Sequence, residues 1–232
     1  MIRALAFVIA CAQALGFTLA CAQATMAGPV ERVDPESLAL AGRMDFETLP
    51  VLPEPGQAHD AGLTAPGIAL GERFAGQIVT GAPHDRLEGL PRGPLSLAPA
   101  EPGKGLATAY HAGFGSNALF PLGPAGFPAI EARGEGAVAL LFANNASALA
   151  LKIHADYPDP LGIRPPPGKA TLSFYDRTGA LIDRHDIALT HGVLALGFAS
   201  TGPRFAGVTI TNDDPGGIAI DDIRFPLPDL SG

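Results

Sequence analysis

The residues with the most pointed chemistry are two adjacent carboxylates, Asp221 and Asp222, inside the otherwise apolar run GGIAIDDIRF at 216–225. Alternate residues of a strand share a face. Ile218 and Ile220 therefore share one face, and Ile223 and Phe225 the other, so the apolar phase slips at the aspartates. A β-bulge there would return both apolar pairs to one core and turn the carboxylates toward a sheet edge or rim. Two carboxylates at a partly buried rim repel each other and need protonation, cationic partners or a metal. Arg224 is close in sequence, but it is one charge against two. A hard cation, typically calcium, would balance both, and it needs about six to eight oxygen donors. Met44-Asp45-Phe46-Glu47 opens the folded region and could supply some of them, since alternation puts Asp45 and Glu47 on one face. Asp213-Asp214-Pro215-Gly216-Gly217 is also acidic, but reads as a plain turn.

Catalytic groupings are sparser. Six histidines occur. Three precede an aspartate directly, at 59–60, 84–85 and 185–186, and strand neighbours point to opposite faces, so these dipeptides are not dyads. No HExxH or histidine–cysteine cluster suggests a transition-metal site. GFGSNA around Ser116 lacks the closing glycine of a nucleophile elbow. A polysaccharide lyase would draw on Tyr110-His111 and the His154…Tyr157 stretch, with Arg133 or Arg164 neutralising a uronate. A glycosidase would need paired carboxylates, for which Asp156 and Asp159 are the candidates. Nothing in the spacing fixes either pair, and a non-catalytic module is the expectation. Sugar recognition usually rests on Trp or Tyr platforms. The chain has no Trp and three Tyr, at 110, 157 and 175. HADYPDP (154–160) is the first segment to consider for a ligand.

The elements that must position these groups read as strands. They are expected at 44–49, 68–79, 94–98, 106–112, 137–142, 148–157, 170–175, 181–189, 193–199, 205–211 and 218–225. In ALALKIHADY, Leu149, Leu151 and Ile153 share one face, and Lys152, His154 and Asp156 the other. The 29 Gly and 23 Pro fall between nearly all of these runs. Asp176-Arg177-Thr178-Gly179 and Asn144-Asn145-Ala146-Ser147 read as hairpin turns. Proline marks 80–136 and 158–168 as long loops and edge strands. The expectation is an all-β chain: a jelly-roll-like two-sheet β-sandwich, one domain at 44–228, with long Pro/Gly-rich loops.

The N-terminal run has Arg3, an apolar stretch and Ala22-Gln23-Ala24, which together read as an export signal over 1–24, followed by a polar lead-in over 25–43. Both cysteines lie in that signal, so the mature chain has no disulfide although its destination is periplasmic or extracellular. Without Arg3 the chain keeps 14 basic and 23 acidic residues, a charge of −9. That balance, with no basic patch, excludes nucleic acid as an expected partner. No second apolar run is long enough to span a membrane.

DFETL (45–49), IALGERFAG (68–76), FAGVTITN (205–212) and GIAIDDIRF (217–225) resemble the beginning and end of secreted bacterial β-sandwich domains. These are of the galactose-binding or carbohydrate-binding-module type, including those of proteins with a PEP-CTERM sorting tail. That tail is absent at PDLSG, and 80–135 matches nothing in such domains. The resemblance implies a glycan or cell-surface partner. It also implies a structural calcium tying the first acidic residues to the last strand through Glu47, Asp221 and Asp222, with Asp45 as a further ligand.

Overall fold

The computed structural model describes residues 29–155 and 165–227. The expected signal at 1–24 lies outside the described residues, as do Asp156, Tyr157, Asp159 and Arg164.

Strands are numbered in chain order. The larger sheet runs β1 (Val30–Val33), β16 (Val193–Ser200), β13 (Ala148–His154), β18 (Ala219–Phe225), β11 (Ser116–Pro121), β10 (Leu106–His111) and β3 (Gln57–His59), with β2 (Gly42–Met44) also paired to β18. The second sheet runs β15 (Leu181–Ala188), β14 (Lys169–Tyr175), β17 (Phe205–Asn212), β12 (Val138–Ala146), β5 (Ile68–Gly71) and β4 (Leu63–Ala65). Two small ribbons pair β6 (Arg73–Phe74) with β9 (Leu97–Ala98), and β7 (Ile78–Thr80) with β8 (Arg86–Glu88). Every pairing is antiparallel. The two sheets face each other as a single-domain β-sandwich.

Alternation builds the core. Leu149, Leu151 and Ile153 of β13 meet Val138, Leu140 and Phe142 of β12 in one cluster, with Phe174, Phe198, Phe205 and Phe225. Unusually for a sandwich, both outer faces are also covered in places. Phe74, Leu95 and Tyr175 cover Ala139 and Ala206 on one side. Phe114, Phe127 and Ala129 pack on Ala107, Ala109, Ala118 and Ala219 on the other. This second burial explains why several strands read as continuous apolar runs rather than strict alternations.

Several expected elements differ. The strand over 44–49 ends at Met44, because the chain turns at Phe46 with φ +61° and buries that ring instead. The run 68–79 divides among β5, β6 and β7. At Gly76, with φ +96°, a Cβ would come within 2.8 Å of the Arg92 backbone nitrogen, so this bend requires glycine. The region 80–136 contains β11, a central strand, and the lead-in contains β1. Asn144–Ser147 is not a hairpin: it carries the chain from one sheet to the other. Asp176–Gly179 does turn β14 into β15, with Asp176 Oδ1 accepting from the Thr178 and Ala180 amides at 2.8 and 3.0 Å.

Phe142 packs edge-on to Phe205 at 5.7 Å between ring centroids and is 1% exposed. Phe142→Ala is expected to cost about 3–5 kcal/mol in urea unfolding, through lost transfer energy and the cavity left behind.

Candidate functional site

β18 carries one residue too many for its neighbour. Ala150 pairs with Arg224, but Lys152 pairs with Asp221, so two steps along β13 face three along β18. The surplus is absorbed at Asp222, whose φ is +51°. This is the bulge expected from the slipped apolar phase. Its consequence is also as expected: Ile218, Ile220, Ile223 and Phe225 all enter the main core. The two carboxylates are left 7% and 6% exposed at the rim, with the Asp222 amide donating to Asp221 Oδ1 at 2.6 Å.

The two aspartates have different surroundings. Asp222 faces Arg43 Nε at 2.7 Å, Lys152 Nζ at 3.0 Å and Arg224 Nε at 3.7 Å. Burial opposes its charge, but the Lys152 hydrogen bond and the charges of Lys152, Arg43 and Arg224 outweigh it and hold its pKa below the ordinary carboxylate value. Of these three cations only Arg224 is close to Asp222 in the sequence. Arg43 and Lys152 complete the compensation, and Asp222 needs no metal to balance it. Among the described residues, Asp221 has no such cluster. Burial raises its pKa, hydrogen bonds from the Asp222 amide and Ser116 Oγ pull the other way, and the charges of Asp222 and Glu47 push it further up.

Glu47 and Asp221 meet through neighbouring residues of β11. Ser116 Oγ donates to Asp221 Oδ2 at 3.0 Å, and the Asn117 amide donates to Glu47 Oε1 at 3.0 Å. Asn117 Nδ2 also ties down the Phe46 and Leu49 carbonyls, each at 3.1 Å. Its Oδ1 is buried with no hydrogen-bond partner. Asp45 instead accepts from the Glu47 amide at 3.3 Å and lies 3.6 Å from Arg43 Nε. Among the described residues, no three His, Cys, Asp or Glu side chains form a ready metal cage. Glu47 and Asp221 disfavour each other's charge, while Asp45 and Asp222 face protein cations. Sequence reasoning missed the roles of Ser116 and Asn117. The alternation in SNALFP was the available signal, and the surrounding proline obscured it.

Two of the residues drafted for a lyase do converge. His111 Nε2 lies 3.0 Å from His154 Nδ1, and His111 Nδ1 lies 3.2 Å from Glu54 Oε1. Arg133 is ion-paired with Glu54, so it supports that carboxylate rather than standing as a uronate neutraliser. The imidazoles are 5% and 7% exposed and packed against Phe114. Burial keeps the pKa of His111 below the ordinary value. Tyr110 stands apart, 43% exposed at the end of β10.

Two open, polar clefts flank Asp85. One, of about 300 Å³, includes Glu72, Gln77, Thr80 and Lys104. The other, of about 360 Å³, includes His84, Arg86, Lys169 and Asp213. Burial raises the Asp85 pKa to about 6, despite a 3.3 Å hydrogen bond from the Ala137 amide. The acidic loop at 213–217 fastens its own turn and the start of β14: Asp214 accepts from the Gly216 and Gly168 amides, and Asp213 Oδ1 from the Lys169 amide.

No family model matches the chain, and no curated protein matches it. Among solved structures it is similar to a mutant of CBM29-2, a family 29 carbohydrate-binding module complexed with mannohexaose. The identity is 13%, over 52% of this chain and 74% of that one, with a TM-score of 0.33. A likeness of that size says nothing of what this chain binds. Among the described residues, no helix is long and apolar enough to cross a membrane.

Removing the Asp222 carboxylate strands three cations. Asp222→Ala is expected to cost about 2 kcal/mol in urea unfolding, and Arg43→Ala under about 1 kcal/mol because that guanidinium is more than half exposed. Asp85 acts in the opposite sense. Its folded pKa of about 6 exceeds the ordinary 3.8, so stability falls as pH rises from 3.8 to 6 and stays lowered above that. The penalty amounts to about 3 kcal/mol. Asp85→Asn is thus expected to gain about that much relative to the parent between pH 4 and pH 7, read from paired unfolding curves.

Proposed function

We propose that this chain is an exported β-sandwich module that binds glycan at a cell surface without turning it over, its two ends fastened by calcium. The observation that carries the glycan reading is Tyr110. Among the described residues it is the one aromatic ring well exposed to solvent, at 43%. Tyr175 is buried at 4%, and the phenylalanines are buried or half-buried. An amphipathic ring on a rigid strand end suits stacking against a pyranose face. Absence of turnover is supported by the state of the acid–base candidates: His111 and His154 are buried against each other, and Glu54 and Arg133, half-buried, are paired beside them.

The calcium reading rests on Glu47 and Asp221. Each repels the other's charge, and both are held by neighbouring residues of β11, Ser116 and Asn117. A hard cation there would be held by these carboxylates, and would join the segment after β2 to β18 and β11. Asp45 and Asp222, anchored by Arg43, Lys152 and Arg224, would hold the flanking backbone in place.

Retention on a glycan array is expected for the parent chain and lost in Tyr110→Ala. New reducing or unsaturated ends in the product would overturn the non-catalytic reading, and absence of retention would overturn glycan binding. Calcium at about a hundred times its Kd would add about 2.7 kcal/mol, raising the thermal midpoint by about 5–10 °C for a chain of this size. Glu47→Gln and Asp221→Asn should lower only the calcium-loaded midpoint. Asp221→Asn should leave the chelated protein unchanged or slightly more stable, because it removes a carboxylate that burial and its neighbours disfavour. Identical midpoints with calcium and with chelator would sink this part.

A further inference from the structure

We propose that the cleft between Asp85 and Lys104 is a binding site for one uncharged sugar ring, read through its hydroxyl groups. The site is separate from Tyr110. Lys104 comes just before β10, whereas Tyr110 lies near the other end of that strand, about 13 Å beyond its first residue. The proposal rests on the glycan reading only in choosing a sugar among neutral polyhydroxylated molecules.

Asp85 makes this cleft more than a gap in the surface. Its side chain lines the space, yet the residue is 4% exposed. Its amide donates to the Glu135 carbonyl at 2.9 Å, and its Oδ2 accepts from the Ala137 amide at 3.3 Å. Among the described residues, no hydrogen bond reaches Oδ1. A buried carboxylate with an oxygen left over is costly. A ligand hydroxyl donating to that oxygen would form a charge-assisted bond and lift the cost.

The signs of the neighbouring charges select the ligand. Glu72 is ion-paired with Arg73, and Glu101 with Lys104 at 3.4 Å. An incoming ammonium would meet Lys104 and Arg73. An incoming carboxylate would meet Asp85 and Glu101. A neutral ring with adjacent hydroxyls suits both signs: one hydroxyl donates to Asp85, and its neighbour accepts from Lys104. The Lys104 charge already acts on Asp85. The cleft volume, about 300 Å³, is at the small end for a ligand pocket, which suits a single ring.

The walls are held by bonds that leave Asp85 Oδ1 to a ligand. Gln77 Oε1 accepts from the Phe74 amide at 3.1 Å, and Gln77 Nε2 donates to the Tyr175 hydroxyl at 3.4 Å. Thr80 Oγ1 donates to Glu88 across the β7–β8 ribbon at 2.9 Å. On the facing loop, the Gly103 amide donates to Asp60 Oδ2 at 2.9 Å, and the Gly103 carbonyl accepts from the Phe127 amide at 2.7 Å. A frame fixed in advance lowers the ordering cost of binding.

The test follows amide ¹H–¹⁵N spectra of the full chain at pH 7 while glucose, galactose, mannose, glucosamine and glucuronate are titrated in turn. At least one of the three neutral hexoses should bind saturably at one site, with shifts centred on residues 80–85 and 101–104. The two charged sugars should bind more weakly. Asp85→Asn should weaken the hexose by about tenfold or more. That variant is expected to be more stable than the parent, so its loss of binding cannot come from unfolding. Lys104→Ala should weaken the hexose severalfold, and Tyr110→Ala should leave affinity at the cleft unchanged. No saturable hexose binding would overturn the site, as would full affinity in Asp85→Asn or a preference for glucosamine or glucuronate. Shifts confined to Tyr110 and its neighbours would also overturn it while leaving the glycan reading intact. Hexose binding at the cleft without retention on the array would uphold it and sink the Tyr110 reading instead.

Discussion

One extra residue in β18 is the constraint on which the rest depends. Without it, Ile218 and Ile220 would face the core and Ile223 and Phe225 would face away, because strand side chains alternate strictly. The bulge lets all four enter the same cluster. The cost is a left-handed backbone at Asp222, φ +51°, which aspartate tolerates better than most residues because its short polar side chain bonds locally. Asp222 is then held by three basic side chains from β2, β13 and β18 itself. The same carboxylate that eases the bend also ties the first strands of the domain to the last.

That bend sorts the acidic residues. Asp222 is compensated and its charge is favoured; Asp221 is buried beside Glu47 and Asp222 and its charge is disfavoured. Two neighbours of identical chemistry thus acquire opposite electrostatics from which side of one bulge they occupy. A charge that is disfavoured and lies next to another carboxylate is where a cation would stabilise the fold most, which is why the calcium reading narrows to Glu47 and Asp221.

The loops have a comparable double role. Segments that look like connectors, rich in Pro and Gly, lie across the outer faces of both sheets. One of them, through Gly113 and Phe114, packs on His111 and His154. The chain has no disulfide among its described residues, and it gains rigidity by burying parts of its sheets on both faces.

Much of the architecture was legible in the residues alone. Period-two alternation at 148–154, the turn at Asp176–Gly179 and the phase slip at 221–222 are carried by contiguous residues, so local pattern suffices to read them. The strand at 116–121 was harder because a proline-rich neighbourhood masks its alternation. The order of strands within each sheet was not readable, since Asn144–Ser147 looks like a hairpin turn whether the chain doubles back or crosses to the opposite sheet. The charge partners were beyond reach for the same reason: Arg43 and Asp222 are 179 residues apart, and so are set by which strands become neighbours. An all-β chain, a bulge and an acidic rim follow from local pattern. Which carboxylates are neutralised, which stay in conflict and which histidines face each other follows from how the strands assemble, because electrostatics depends on distance through space and local periodicity does not.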